Sequence, residues 1–266
     1  MKIIDAHVHT SFNREDLRET ARKIGNIFTI EELNKQFAAN GIKCALSITS
    51  DRSDATPLEY DSVVSLIKQN KRLFGVLGIN PHKISDDCTQ KIEEGIRLNL
   101  IKGLKIYSGY YHNYPYEEVY TQFYHLAGKH NIPVIFHCGD TYKKDALLKY
   151  AHPLSVDEVA VRFPTVNFVI AHFGNPWMLD AAEVVYKNSN VYTDLSGLGI
   201  GSTLSLITKN KLREALDYID DYTKVLYGSD WPLVNIRSYI KTIMRIIPKQ
   251  HRTKVFYDNA KRLFNL

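Results

Sequence analysis

The sequence is poor in cysteine, and its three cysteines form neither a CxxC pair nor an even-numbered disulfide framework. Cys44, Cys88 and Cys138 lie far apart along the chain. Isolated cysteines of this kind are typical of proteins in a reducing compartment. The cysteine usage therefore argues against a disulfide-stapled secreted domain and predicts a cytoplasmic protein.

Long apolar runs and blocks of like charge are also absent. No apolar run approaches the ~18 residues of a membrane span, and polar residues interrupt the opening segment MKIIDAHVHT, which is unlike a signal peptide. The formal net charge is +5, without a run of five like charges. We therefore expect neither a membrane nor a nucleic acid as partner, and the mild positive excess suits a small anionic substrate.

What the sequence does contain is a regular alternation of short apolar runs with amphipathic helical patterns. The predicted helices are 29–40, 56–70, 87–99, 116–130, 176–187 and 205–219, and the predicted strands are 3–9, 42–49, 72–79, 101–107, 133–138, 167–173, 190–195 and 224–229. Such alternation predicts a parallel sheet, and eight strands favour a closed (β/α)₈ TIM barrel. No GxGxxG follows the first strand and no flexible linker interrupts the chain, so we expect one domain over residues 1–266.

Metal-competent side chains stand at or near the C-terminal ends of four predicted strands. They are His7 and His9 on the first strand, His137 on the fifth, His172 on the sixth and Asp230 after the eighth. In a barrel these strand ends share one face, where barrel enzymes have their active sites. Side chains two apart on a strand point the same way, so the first two imidazoles can bind one divalent ion. A single histidine in a strand is more often a core residue, but the whole set predicts a metal site.

The motifs around these residues resemble the amidohydrolase superfamily. DAHVH, GLKIY, IFHCGD, VIAHFGNP, YGSDWP and DNAKRLF follow one another between residues 3 and 265. The HxH motif alone is weak, but the ordered set is specific. The resemblance is to the amidohydrolase-related branch, which includes relatives of aminocarboxymuconate semialdehyde decarboxylase, and it implies a metal-dependent hydrolase.

The resemblance also implies roles for individual residues. The metal would be held by His7, His9, His137 and Asp230, and His172 would orient or polarise the bound water or substrate. The expected cofactor is one Zn²⁺ per chain, with Mn²⁺ as the alternative. Zinc lowers the pKa of its water from 15.7 to roughly 7, and Asp230 is the candidate base that accepts the proton. Hydrolysis of a small-molecule amide, ester or lactone follows.

Lys105, near the end of the fourth predicted strand, has three interpretations. In some superfamily members a lysine here is carbamylated and bridges two metals, so the number of metals depends on this residue. We favour an unmodified lysine, which could instead bind a substrate carboxylate or reach solvent. TatD-type nucleases usually have glutamate at this strand end, which argues against that assignment, although GINPH at 78–82 is similar to those nucleases.

The segment after the fourth strand is rich in tyrosine. Tyr107, Tyr110 and Tyr111 are candidates to line a pocket for a ring or planar substrate, and packing of the barrel rim is the alternative. The long segment 10–28 is expected to cover part of the barrel mouth. The weaker site candidates are Asp5, Arg14, Arg18, Arg52, Asn175, Asp194 and Trp231.

Two other enzyme classes remain open beside hydrolysis. Non-oxidative decarboxylation or hydration of a small carboxylic acid occurs on the same scaffold in this branch, and no single arginine identifies a carboxylate clamp. A TatD-like nuclease is disfavoured because the sequence lacks a basic patch. A non-enzymatic barrel would be expected to lose its metal ligands. A homodimer is common for such barrels, but no interface pattern indicates one.

Overall fold

The computed structural model describes residues 1–49, 58–202 and 204–266. Eight parallel strands follow one another around the sheet in chain order. They are β1 Ile3–Val8, β2 Ile42–Ile48, β3 Leu73–Ile79, β4 Ile101–Ile106, β5 Val134–Phe136, β6 Phe168–Ile170, β7 Val191–Asp194 and β8 Val225–Leu226. The amide of Ala6 donates to the Tyr227 carbonyl oxygen at 2.9 Å, so the last strand meets the first. The predicted TIM barrel is confirmed.

Helices follow each strand along the chain. They are α1 Glu15–Lys23, α2 Ile30–Asn40, α3 Leu58–Gln69, α4 Asp86–Arg97, α5 Thr121–His130, α6 Leu154–Arg162, α7 Met178–Lys187, α8 Leu206–Ile219, α9 Ile236–Met244 and α10 Asn259–Leu263. Hydroxyl or amide side chains cap several N-termini; for example, Ser205 Oγ accepts from the Thr208 amide at 3.0 Å. None of the helices in these described ranges combines the length and apolar character of a bilayer span.

The six predicted helices are present with ends shifted by a few residues, and the first two positions of the predicted helix 56–70 lie outside the described residues. In the predicted helix 116–130, the first turn is a 3₁₀ helix over Glu118–Tyr120. The predicted strands 133–138, 167–173 and 224–229 are shorter in the structure. The observed strands end at Phe136, Ile170 and Leu226, and the backbone then turns to positive φ at Gly139, His172 and Asp230.

The C-terminal helix closes the barrel at the N-terminal ends of the strands. Ala260, Leu263 and Phe264 belong to one buried apolar cluster with strand residues such as Leu46 and Val76. A Cβ added at Gly103, at the start of β4, would lie 3.5 Å from the Phe264 ring. This end of the barrel is therefore a packed apolar plug.

The opposite end, where the strands finish, is covered in part by the segment that joins β1 to α2. This segment contains α1, and its residues Leu17 and Thr20 line the cavity above the strand ends. The expectation that residues 10–28 cover part of the mouth agrees with this placement. The cavity is thus bounded below by the strand ends and on one side by α1.

Candidate metal centre

Three side chains from opposite ends of the chain converge above β1 and β8. His9 Nε2 lies 3.0 Å and His7 Nε2 3.5 Å from the same oxygen, Asp230 Oδ1. The three groups offer ligand atoms within 4.8 Å of one another. The Asp230 amide donates to the His7 carbonyl oxygen at 2.8 Å, so the backbone closure of the barrel brings this carboxylate to the histidine pair.

The outer nitrogens of both histidines are occupied, which fixes their tautomers. His9 Nδ1 lies 3.2 Å from the Ile48 carbonyl oxygen, and a carbonyl only accepts, so Nδ1 carries the proton. His7 Nδ1 lies 3.0 Å from Asp194 Oδ2 and is protonated for the same reason. In the neutral imidazoles both Nε2 atoms then present lone pairs to Asp230 Oδ1. Opposed acceptors at such distances repel each other unless a proton or a metal cation lies between them.

The Asp194 carboxylate, at the end of β7, accepts hydrogen bonds that hold His7 and His172 in position. Its Oδ2 accepts from His7, and its Oδ1 accepts from the amides of His172 and Ser196 at 3.0 Å and from Ser196 Oγ at 2.5 Å. Four donors therefore surround this carboxylate, three of them on Oδ1. A second group that could hold a metal combines His7, His172 and Asp194, but the bonds already made to Asp194 leave it less available to an ion than Asp230. Asp194 therefore orients ligands in the manner of an outer-sphere carboxylate.

His172 stands beside this centre on a left-handed turn. Its φ is 58°, a region that is costly for residues other than glycine and recurs at functional sites. The turn is held by the bond from its amide to Asp194 and by His172 Nδ1, which lies 3.1 Å from the Ser196 carbonyl oxygen. The ring packs 4.9 Å from the rings of both His7 and His137. Its Nε2 is consequently the unprotonated nitrogen.

Gly197 leaves space for the two candidate catalytic groups. Its φ is +61°, and a Cβ added there would lie 2.5 Å from Asp230 Oδ2 and 2.8 Å from His172 Nδ1. A side chain at this position would displace both groups, so the residue type is dictated by the site.

His137 lies in the same cluster but outside the two groups with ligand spacing. Its Nε2 is 2.9 Å from the Asp140 carbonyl oxygen, which leaves Nδ1 as the nitrogen with a free lone pair. The role of His137 as a metal ligand therefore stays a prediction, and Nδ1 would be the donor.

Burial favours the neutral form of three of the histidines. Burial lowers the pKa of His7 to about 4 and lowers that of His172 and His137 as well. The pKa of Asp230 lies below its ordinary value, although burial alone would raise it. Neutral imidazoles and a carboxylate are the protonation states that a metal site requires.

A cavity with about 570 Å³ of empty space, including its open mouth, lies over this cluster. Its walls include Lys105, Tyr107 and Tyr110 from β4 and the segment after it. Across the mouth, the Tyr142 amide donates to Tyr110 Oη at 2.9 Å, and Tyr142 Oη is hydrogen-bonded to Thr20 Oγ1 at 2.9 Å. The exposed ring of Tyr142 thus ties the loop after β5 to two sides of the cavity.

The remaining candidates from the sequence are dispersed. Tyr111 faces an adjoining cavity, which shares Tyr107 and Tyr110 as a wall. Arg14 lines the main cavity, whereas Arg52 lies outside the described residues. Arg18 is at the surface, Asp5 accepts from the Ser229 amide at 2.8 Å, and Asn175 takes no part in the metal cluster as described. Trp231 is fully buried against Phe12 and Phe28.

Sequence reasoning missed Ser196, Gly197, Thr20 and Tyr142. Ser196 and Gly197 directly follow the candidate Asp194 at the end of β7, and that position at the active end of a barrel was the available signal. No pattern in the sequence indicates that Thr20 and Tyr142 meet.

The sequence matches the amidohydrolase family over residues 4–266. The chain belongs to this family. No curated protein matches the sequence. The family implies a divalent metal in the barrel. The surroundings of Asp230 Oδ1 fit such an ion, because this buried oxygen has no hydrogen-bond donor among the described residues.

Solved structures of other amidohydrolase-like barrels superpose on the whole chain. An uncharacterised TIM-barrel protein from Bordetella bronchiseptica is 19% identical with a TM-score of 0.81, covering 100% of this chain and 99% of its own. A probable 2-pyrone-4,6-dicarboxylic acid hydrolase from Acinetobacter baumannii is 16% identical with a TM-score of 0.72, covering 100% of both chains. A 5-carboxyvanillate decarboxylase from Novosphingobium aromaticivorans, complexed with manganese, is 13% identical with a TM-score of 0.70, covering 100% and 95%. At these identities the likeness shows the fold alone.

Proposed function

We propose that this amidohydrolase-family enzyme hydrolyses an amide, ester or lactone of a small molecule, with one divalent ion at the centre formed by His7, His9 and Asp230. The observation that carries the proposal is the buried carboxylate of Asp230, whose Oδ1 lies 3.0 and 3.5 Å from the Nε2 atoms of two histidines. A bound Zn²⁺ or Mn²⁺ supplies Lewis acidity, which favours ionisation of water and polarises a carbonyl group. His137 would complete the ligand set through Nδ1.

The roles of the protein groups follow from their positions. Asp230 Oδ2 lies beside Gly197 and His172, away from the histidine pair. We assign this carboxylate the task of accepting the proton of the attacking water and returning it to the leaving group. His172 presents Nε2 as its unprotonated nitrogen because Nδ1 is bonded to the Ser196 carbonyl oxygen. It would orient the water or the substrate as a hydrogen-bond acceptor.

The cavity wall suits a small substrate with a planar part. Tyr107 and Tyr110 line the cavity, and the Tyr110 ring lies edge-on to His137 at 4.8 Å. Tyr111 contributes to the adjoining cavity, where a longer substrate would extend. Tyr142 and Thr20 across the mouth would limit substrate size and exclude bulk water.

Metal content and oxygen isotope incorporation test the proposal together. Protein purified without chelators or a histidine tag should hold about one equivalent of metal per chain, and His137→Ala should reduce it. Substrates from a panel of lactones, esters and amides should be hydrolysed with ¹⁸O from labelled water in the product. Two equivalents would indicate a carbamylated Lys105 bridging a metal pair. Failure to bind Zn²⁺ or Mn²⁺ after reconstitution would exclude the mechanism.

Non-oxidative decarboxylation is the second candidate, and the buried ammonium of Lys105 in the cavity favours it because such a group can hold a substrate carboxylate. The neighbouring fold of a 5-carboxyvanillate decarboxylase is compatible with this alternative. Release of CO₂ from an aromatic acid without ¹⁸O incorporation would establish it in place of hydrolysis.

A further inference from the structure

Lys105 is a buried cation in the cavity wall. Its side chain is 1% exposed and belongs to the largest fully buried side chains of the protein. Its Nζ has no hydrogen-bond partner among the described residues. Burying an ammonium without a partner is costly, so the position is unfavourable unless an anion arrives.

The surroundings of Lys105 leave its ammonium group charged but give it no hydrogen-bond acceptor among the described residues. Burial lowers the pKa of Lys105 to about 8, while the charges of Asp194 and Asp230 oppose this effect, so the ammonium form prevails at neutral pH. The Tyr107 ring lies 5.5 Å from Nζ, a cation–π contact that leaves the N–H bonds without acceptors. The donors of this ammonium remain available to a ligand.

The other cation of the cavity wall is already paired. Arg14 donates from Nε to Asp16 Oδ1 at 2.9 Å, and its Nη2 contacts the second oxygen of the same carboxylate. Among the lysine and arginine side chains in the described part of the cavity wall, Lys105 is thus the one left for an anionic ligand.

A carboxylate bound in the cavity would pair with the buried ammonium of Lys105 and offset the cost of burying it. A neutral substrate would leave the ammonium unpaired.

We propose that the substrate carries a carboxylate group that binds to Lys105 Nζ, apart from the bond that is broken. The enzyme would then act on the amide, ester or lactone of a small carboxylic acid rather than on a neutral compound. This inference rests on the proposed function for the reaction, but anion binding at Lys105 does not require turnover.

Calorimetric titration of the zinc-loaded protein with matched anionic and neutral probes tests the proposal. The probes are acetate with acetamide and benzoate with benzamide. Two pairs of different size are used so that at least one pair fits the cavity. Wild-type protein should bind each carboxylate more tightly than its amide. Lys105→Met, which keeps the length of the side chain, should weaken carboxylate binding about 10- to 100-fold, as expected for a hydrogen bond to a charged group, and change amide binding little.

Arg14→Gln is the matched control, because it removes a cation from the same cavity that is already paired with Asp16, and it should retain carboxylate affinity. Equal carboxylate affinity in the wild type and Lys105→Met would overturn the proposal, and so would the absence of carboxylate binding at millimolar concentration. If Lys105→Met does not fold, the wild-type protein alone still tests the proposal, because tighter binding of the amides than of the carboxylates would overturn it. Hydrolytic activity with normal metal content but no Lys105-dependent anion binding would overturn this inference and leave the proposed function intact.

Discussion

The two ends of the barrel are built from the same strands but on opposite principles. At the N-terminal ends, Ala260, Leu263 and Phe264 fill the barrel with apolar side chains. At the C-terminal ends, Asp230, Lys105 and several imidazoles face a cavity, and Asp230 Oδ1 and Lys105 Nζ have no hydrogen-bond partner among the described residues. One end lowers the free energy of the fold, and the other holds buried polar groups at the face where barrel enzymes have their active sites.

The polar end itself contains two carboxylates that differ in the same way. Asp194 accepts from four donors, whereas Asp230 Oδ1 faces lone pairs. Burial opposes the charge of each, yet the pKa of both carboxyl groups lies below the ordinary value. The two carboxylates therefore differ in their hydrogen bonds and not in their charge. Asp194 is held in place by its donors, whereas Asp230 Oδ1 has no donor among the described residues.

The largest effect is expected from Asp230→Asn, which keeps the shape of the side chain and removes its charge. Turnover should fall about 10²- to 10⁴-fold, the range for loss of a general base, and metal content should fall with it. Melting temperature, metal content by mass spectrometry and kcat/KM measure the effect. Asp157→Asn, at an exposed ion pair with Lys187, is the control. Full metal content and activity in Asp230→Asn would contradict the assignment.

Gly197→Ala should come next, because its Cβ would collide with Asp230 Oδ2 and His172 Nδ1. The left-handed backbone conformation adds about 1–2 kcal/mol of destabilisation. Gly201→Ala is the matched control: its φ is +71°, but the nearest atom to an added Cβ, on Ile24, is 3.7 Å away. Both variants should lose stability, and Gly197→Ala alone should lose metal affinity, measured by competition with a zinc chelator. Equal metal affinity in the two variants would show that the contact does not matter.

A smaller loss of metal affinity is expected from substitution of Asp194, the carboxylate that accepts from four donors. Asp194→Asn leaves the ligands in place but removes the charge that accepts from His7, so metal affinity should fall about 10- to 100-fold, as for other outer-sphere carboxylates. Ser196→Ala removes one donor to Asp194 and should have the lesser effect of the two. Loss of metal in Asp194→Asn as complete as in Asp230→Asn would mean that Asp194 binds the ion directly.

The same contrast explains how much the sequence predicts. Periodicity places strands and helices well, because the barrel repeats one buried pattern, and positions at strand ends identify His7, His9, His172 and Asp230 as neighbours. The positions of Tyr142 and Thr20 depend on where two loops meet, which no periodic pattern encodes. The saturation of Asp194 depends on backbone amides whose directions follow from the left-handed turn at His172.

At the apolar end, a substitution should change stability without changing the metal centre. Phe264 is 1% exposed and packs beneath the strands, so Phe264→Ala should destabilise the fold by about 3–5 kcal/mol, the cost of truncating a buried aromatic ring. Urea unfolding measures this loss, and zinc content and kcat/KM under folding conditions should remain those of the wild type. Because the plug and the centre lie at opposite ends of the strands, a variant that is folded but has lost zinc would show that the packing of the plug positions the ligands, and the two ends would then not be independent.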